Sequence, residues 1–172
     1  MANEGKAKAL NEREIKVLKA IINSEPHKER NMAMFMLGLK SGLRAKEIAS
    51  LTTTHILNND GSLREETTIG KGVAKGNKIA TIYLNNKDLR ETLEEWLKVR
   101  EDHISADVLF YTQKRLAMRP QYIARYFYEL FQKANINGAS SHSLRRTFAN
   151  NLMDNGTNIR DIRFLMRHSS IA

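Results

Sequence analysis

The chain has 172 residues, of which 41% are hydrophobic, which is enough for one sizeable core and typical of a globular domain. The absence of cysteine excludes a disulfide framework and a thiolate metal site. No apolar run approaches the roughly 20 residues that cross a bilayer, and the first residues lack the apolar segment of a secretory signal. We therefore expect a cytoplasmic protein with no membrane partner and no metal site.

The charge of the chain is strongly positive and unevenly distributed. The net charge is +9 and the isoelectric point is about 9.9. Ten Lys or Arg residues, against three Asp or Glu residues, lie between Thr112 and Ala172. Such an excess favours a polyanionic partner, with nucleic acid ahead of an anionic membrane. A basic surface that serves only solubility is the alternative.

Helical periodicity dominates the first part of the chain. Residues 1–10 are predicted to form a polar tail, after which Asn11 caps a helix. A second helix is predicted over 28–41 and ends before Gly42, where a left-handed residue commonly stops a helix. A third, short helix follows over Glu47 to Leu51.

The periodicity then changes to that of strands. Asn58 to Gly61 is a turn signal between short strand-like segments, and two β-branched segments, 67–69 and 79–84, flank a Gly- and Lys-rich loop. These segments predict a small antiparallel sheet of three strands. Further helices are predicted from Asn86 onward and over 120–134, 143–154 and 158–167, with Pro120 in a first turn. No repeat or linker interrupts the chain, so we expect one mostly helical α+β domain.

Two arginines and two histidines suggest that the chain binds phosphate. Arg44 follows a predicted helix end, His142 and Arg145 lie three residues apart at a helix start, and His168 follows the last helix. A guanidinium matches two phosphate oxygens and stays charged at working pH, and a helix start adds backbone N–H donors. Taken singly, these residues are more often solvated or capping groups, as is Lys75 in its hairpin. Their combination favours phosphodiester chemistry.

Four segments around these residues resemble the signature boxes of the tyrosine recombinases, the phage integrase family. Residues 41–51 resemble the first box, with Glu47 three residues after Arg44. Residues 74–84 resemble the β-hairpin that carries a catalytic lysine. Residues 142–149 and 165–171 are similar to the second and third boxes. The resemblance implies the catalytic fold of that family, from about residue 10 to the end of the chain.

The resemblance also implies a role for each matching residue. Arg44 and Arg145 would bind the scissile phosphate, His142 would assist as acid or base, and His168 would hydrogen-bond the phosphate. Lys75 would protonate the departing 5′ oxygen, and Glu47 would hold the Arg44 region in place. The residues expected to contact DNA are Lys71, Lys78, Arg146 and Arg167, and the first two are also alternatives to Lys75. No metal or other cofactor is implied.

The chain departs from the family pattern in three ways. No tyrosine follows His168, and the family's nucleophile, about nine residues further on, would fall at roughly position 177. Met166-Arg167 replaces the usual Leu-Gly, and the separate N-terminal helical domain of many members is missing. We therefore expect residues 11–172 to be a catalytic domain that is incomplete at its C-terminus and inactive as given.

The function implied by the resemblance is site-specific DNA recombination or integration, through a 3′-phosphotyrosine intermediate and a nucleophile beyond residue 172. The alternatives are a non-cleaving DNA-binding remnant of a recombinase and a type IB topoisomerase-like enzyme. The implied partner is double-stranded DNA, bound by a homotetramer when the protein is full length or by a monomer as given. A bacterial or phage-encoded protein, associated with DNA in the cytoplasm, is expected.

Overall fold

The computed structural model describes residues 7–70, 79–100 and 108–167. Within these ranges the chain forms helices and two short strands, in agreement with the predicted mostly helical α+β class. In chain order the elements are α1 (Glu12–Asn23), α2 (Lys28–Ser41), α3 (Ala45–Ala49), α4 (Thr53–Ile56), β1 (Glu66–Ile69), β2 (Ala80–Tyr83), α5 (Lys87–Val99), α6 (Pro120–Lys133), α7 (Ser143–Asp154) and α8 (Ile159–Leu165).

Helix α2 is the centre of the core, and it packs against α1, α3, α5 and α7. Ten of its residues are buried, including the run from Met32 to Leu39, because neighbours surround it on several sides. At Gly38 a Cβ atom would lie only 2.8 Å from Leu144 Cδ1, so the absence of a side chain lets α7 approach α2 closely. This close approach brings the first and second predicted boxes together.

The start of the domain confirms one prediction and corrects another. Asn11 caps α1 as predicted, and its side chain accepts a hydrogen bond from the Glu14 N–H at 2.9 Å. The prediction of a polar tail over residues 1–10 is wrong at its end, because Leu10 is apolar and buried in the core. The Leu10 N–H also donates to Thr147 Oγ1 at 2.8 Å, so this segment is tied to α7.

The sheet has two strands in the described residues, not the predicted three. β1 and β2 pair in antiparallel register, with Glu66 opposite Tyr83 and Ile69 opposite Ala80. The segment before the Asn58 to Gly61 turn forms α4 instead of a strand, and only an isolated bridge between Leu57 and Leu63 spans that turn. The helical conformation is favoured over a strand because the Thr52 N–H donates to His55 Nδ1 at 3.0 Å and closes the first turn of α4.

The later helices agree with the predicted boundaries to within a few residues. Pro120 occupies the first turn of α6, where its missing N–H leaves no partner unsatisfied. Phe127 and Phe131 face the core from α6, whereas Tyr122 and Tyr128 are exposed on its other side. Among the described helices, none has the length and apolar character needed to cross a membrane.

Candidate functional site

A buried carboxylate organises the candidate site. Glu47, in the first turn of α3, is fully buried. Its Oε2 accepts the Arg44 backbone N–H at 2.8 Å, and its Oε1 accepts Arg44 Nη1 at 3.0 Å. Arg167 adds Nε to Oε1 at 3.2 Å and Nη2 to Oε2 at 2.9 Å. Both oxygens are therefore doubly hydrogen-bonded, and the carboxylate is held between two guanidinium groups.

The ionisation of Glu47 follows from these contacts. Burial alone would raise the pKa of Glu47, since a charge is costly away from water. The hydrogen bonds and positive charges of Arg167 and Arg44 outweigh the burial and leave the pKa of Glu47 below its usual value. The residue is thus a fixed negative charge at neutral pH.

Arg44 lies at the edge of this buried group. It is the residue before α3, in extended conformation, and its side chain is 23% exposed. Its position follows directly from Gly42, which ends α2 in the left-handed region with φ 62°. A Cβ atom at Gly42 would collide with the ring of Phe148 on α7, so glycine is required at this turn for two separate reasons.

Arg145 reaches the same turn from α7 and is buried, with 5% of its surface exposed. Its Nη1 donates to the Gly42 carbonyl at 2.5 Å, and its Nη2 donates to the Met166 carbonyl after α8. Burial, followed by the charges of Arg44 and Arg167, lowers the pKa of Arg145 to about 9, while Glu47 opposes the shift. Arg145 therefore remains protonated at neutral pH, in a setting where an added anion would be stabilising.

Arg167 lies in the interior of the site. The sequence predicts a DNA contact, yet its side chain is only 6% exposed and is paired with Glu47. Its Nη2 also donates to the Gly42 carbonyl at 2.8 Å, and its Nη1 donates to the Leu165 carbonyl at 2.9 Å. In this conformation the four hydrogen bonds of the guanidinium go to internal acceptors, and the DNA contact stays a prediction.

One further contact attaches the site to its surroundings. Ser41 Oγ donates to the Tyr83 carbonyl at 2.8 Å, which joins the end of α2 to the strand after the lysine-bearing loop. His142 is the exposed residue preceding α7, one helical turn before the buried Arg145. Arg146 follows Arg145 and is half-buried. These placements agree with the helix start that the sequence predicts at Ser143.

The remaining predicted site residues lie outside the described residues. They are Lys71, Lys75, Lys78 and His168. Sequence reasoning missed the Gly42 and Met166 carbonyls as the acceptors of Arg145, because main-chain groups leave no residue-type pattern. The sequence did contain a signal for the unusual position of Arg167. It stands where the resemblance places a glycine, and a glycine there indicates a left-handed backbone conformation.

Comparison with solved structures establishes the fold. The crystal structure of the XerA recombinase aligns with 98% of this chain and 58% of its own, at a TM-score of 0.80 and 25% identity. The Tn1549 transposon integrase in complex with a circular intermediate DNA aligns at a TM-score of 0.78 and 17% identity, over 98% of this chain and 60% of that one. The fold is therefore that of the tyrosine-recombinase catalytic domains.

Sequence comparison identifies the family. The model of the phage integrase family matches residues 8–172. The tyrosine recombinase XerD of Pasteurella multocida is 30% identical over 152 residues, which cover 86% of this chain and 49% of that protein. The chain belongs to the phage integrase family of tyrosine recombinases, and it spans about half the length of the curated relatives that it matches.

Proposed function

We propose that this chain is the catalytic domain of an enzyme that recombines DNA at specific sites by breaking and rejoining strands. The observation that carries the proposal is the meeting of Arg44 and Arg145 around one turn, from distant parts of the sequence and beside a buried carboxylate. Three guanidinium groups and one carboxylate leave an excess of positive charge there. Such an excess suits a phosphodiester whose negative charge grows in the transition state.

The proposed reaction is a transesterification without metal or nucleotide cofactor. A tyrosine oxygen, supplied by a segment after residue 172, attacks the phosphorus and forms a 3′-phosphotyrosine while the bond to the 5′ oxygen breaks. Arg44 and Arg145 hold the nonbridging oxygens, and Lys75 gives the proton to the departing oxygen, with Lys71 and Lys78 as alternatives. His142 assists as acid or base, and His168 hydrogen-bonds the phosphate. Rejoining is the reverse reaction with a new 5′ hydroxyl.

The proposed substrate is double-stranded DNA, bound by a homotetramer of the full-length protein. Three features support a DNA substrate: the net charge of +9, the exposed Tyr122 and Tyr128 on α6, and the family of the chain. Arg146, Lys71 and Lys78 are proposed to contact the DNA backbone. These contacts position the duplex and carry no sequence information by themselves.

Covalent trapping on a nicked duplex that carries the recombination site tests the proposal. The protein with its native residues after Ala172 should form a protein–DNA adduct. Arg145→Ala should lower the rate of adduct formation by roughly 10²–10³, the usual effect of removing one transition-state donor. The control is Lys98→Ala, which removes one positive charge from an exposed position beside Glu94 and Glu95 on α5, and its rate should match the wild type.

Three outcomes would contradict parts of the proposal. Adducts at the wild-type rate in Arg145→Ala would remove Arg145 from the reaction. Adducts formed by residues 1–172 alone would mean that an upstream tyrosine is the nucleophile. Relaxation of supercoiled plasmid without any specific site would favour the type IB topoisomerase-like alternative over recombination.

A further inference from the structure

Arg167 adopts a backbone conformation that residues with side chains rarely take. Its φ is 51°, in the left-handed region, where a glycine would be free of strain. Strain of this kind persists only when the surrounding contacts hold it. The contacts here are the two oxygens of Glu47 and the carbonyls of Gly42 and Leu165. An arginine at this position therefore contributes something that a glycine would not.

The geometry shows what that contribution is. Arg167 and Arg145 both donate to the Gly42 carbonyl, at 2.8 Å and 2.5 Å. Arg167 and Arg44 both donate to Glu47. Arg167 is thus the shared neighbour of both phosphate-binding arginines, although its own guanidinium is turned inward. Without it, the fully buried carboxylate would have Arg44 as its one charged hydrogen-bond donor among the described residues.

We propose that Arg167 is a positioning residue, which neutralises Glu47 so that the charge of Arg44 is available to an oxyanion bound between Arg44 and Arg145. With Arg167 present, one guanidinium balances Glu47 and two remain for the anion. In its absence, Arg44, which already contacts Glu47, would be the one counter-charge of the carboxylate among the described residues, and the net positive charge available to the anion would fall by one unit. This inference rests on the proposed phosphate-binding role of Arg44 and Arg145.

The charge balance predicts a change in the ionisation of Glu47. Among the described residues, the charged groups that face Glu47 are Arg44 from the residue before α3, Arg145 from α7 and Arg167 after α8. Removal of Arg167 takes away two hydrogen bonds and one positive charge that lower the pKa of Glu47, while the cost of burial, which raises it, stays. The pKa of Glu47 should then rise from its wild-type position, which lies below the usual value.

The first test measures Glu47 directly and requires no DNA. Carboxyl-detected NMR of the 172-residue chain should place the pKa of Glu47 at least one unit higher in Arg167→Gly than in the wild type, where one unit reflects about a tenfold change in proton affinity. Glycine accepts the left-handed conformation, so the variant is expected to fold. Arg160→Ala removes an exposed charge from α8 and should leave the pKa of Glu47 unchanged.

The second test uses sulfate as a probe, because its charge is constant between about pH 5 and pH 8. Perturbation of the Arg44 and Arg145 side-chain N–H signals reports binding. At about pH 7.5, Arg167→Gly should bind sulfate roughly tenfold more weakly, as expected for one lost charge a few ångströms away. Lowering the pH should restore binding in this variant as Glu47 is protonated and releases Arg44. His142 is present in every variant, so the comparison between variants is the readout.

Arg167→Lys distinguishes charge from structure. A lysine restores the positive charge but not the two-point contact with Glu47. It should therefore recover part of the sulfate affinity and most of the depression of the Glu47 pKa. If Arg167→Gly fails to fold, Arg167→Asn takes its place in both measurements, because asparagine also removes the charge and tolerates the left-handed conformation.

Distinct outcomes separate this inference from the proposed function. An unchanged Glu47 pKa in Arg167→Gly, or a raised pKa with unchanged sulfate affinity, would overturn the positioning role while leaving the phosphate site intact. The absence of any sulfate response at Arg44 and Arg145 in the wild type would overturn the phosphate site itself, and the inference with it.

Discussion

Glu47 shows how one buried residue can hold two guanidinium groups together. A buried carboxylate is costly by itself, and a buried guanidinium is costly too. Here each group offsets the cost of the other, because the carboxylate accepts four hydrogen bonds from Arg44 and Arg167. The drawback of this arrangement is that loss of the carboxylate leaves the two guanidinium groups without a counter-charge in the interior.

The substitution Glu47→Gln should therefore be strongly destabilising. It keeps the shape of the side chain but leaves buried guanidinium groups without a counter-charge, which costs about 3–5 kcal/mol when one member of a buried ion pair is removed. Denaturant unfolding at about pH 7 measures the loss. A change of less than about 1 kcal/mol would show that the carboxylate contributes little.

The same variant predicts a dependence on pH. The folded-state pKa of Glu47 is depressed below its usual value of 4.5, so its contribution is fully present above about pH 5 and is lost as the pH falls through the folded pKa. The stability difference between wild type and Glu47→Gln should accordingly shrink below about pH 4. Lys98→Ala serves as a control in which the small difference stays constant over this range.

At the scale of elements, the turn between α2 and α3 decides whether the arginines meet. Gly42 ends α2 in a left-handed conformation and places its carbonyl where Arg145 and Arg167 both reach it. The ring of Phe148 from α7 packs where a Cβ atom would be. Gly42 thus ends α2, leaves room for Phe148 of α7, and supplies a carbonyl acceptor to Arg145 and Arg167.

Gly42→Ala should consequently reduce stability by roughly 2–4 kcal/mol, from the strain of a left-handed alanine and the collision with Phe148. Thermal and denaturant unfolding measure the effect. Gly61→Ala is a matched control, because Gly61 is also left-handed, with φ 83°, but a Cβ atom added there would meet nothing within 4 Å. An equal cost at both glycines would argue that strain alone, and not the packing of α7, requires Gly42.

At the scale of the whole molecule, the positive charge should control DNA binding. Arg145 and Arg146 lie in α7, which starts at Ser143, while α5 carries Glu91, Glu94 and Glu95 on its own surface. Neutralising a phosphate releases counterions. The binding constant therefore falls by about 0.9 logarithmic units per phosphate contact for each tenfold rise in salt concentration. Binding that does not respond to salt would contradict a basic interface.

Arg146→Ala should weaken DNA binding for all sequences and make the salt slope about one unit less steep, as for loss of a single phosphate contact. Fluorescence anisotropy between about 50 and 200 mM salt measures both quantities. Lys98→Ala should leave the slope unchanged. The same slope in both variants would remove Arg146 from the DNA interface.

The sequence predicted most of the fold because its signals are local. The cap at Asn11, the stop at Gly42 and the first-turn Pro120 each require only a few neighbouring residues. The third strand was wrong because the hydrogen bond from Thr52 to His55 closes a short helix that β-branched residues alone do not indicate. The partners of Arg145 were missed because Gly42 and Met166 lie 103 and 21 residues away, and both contribute main-chain atoms.

Those main-chain acceptors have a consequence for how the family can vary. A carbonyl is supplied by any residue, so substitution at position 166 leaves the acceptor for Arg145 in place as long as the path of the chain is kept. The XerA recombinase retains this fold at a TM-score of 0.80 with only 25% identity. The side chains around Arg145 can therefore change while the main-chain acceptors of its guanidinium stay in place.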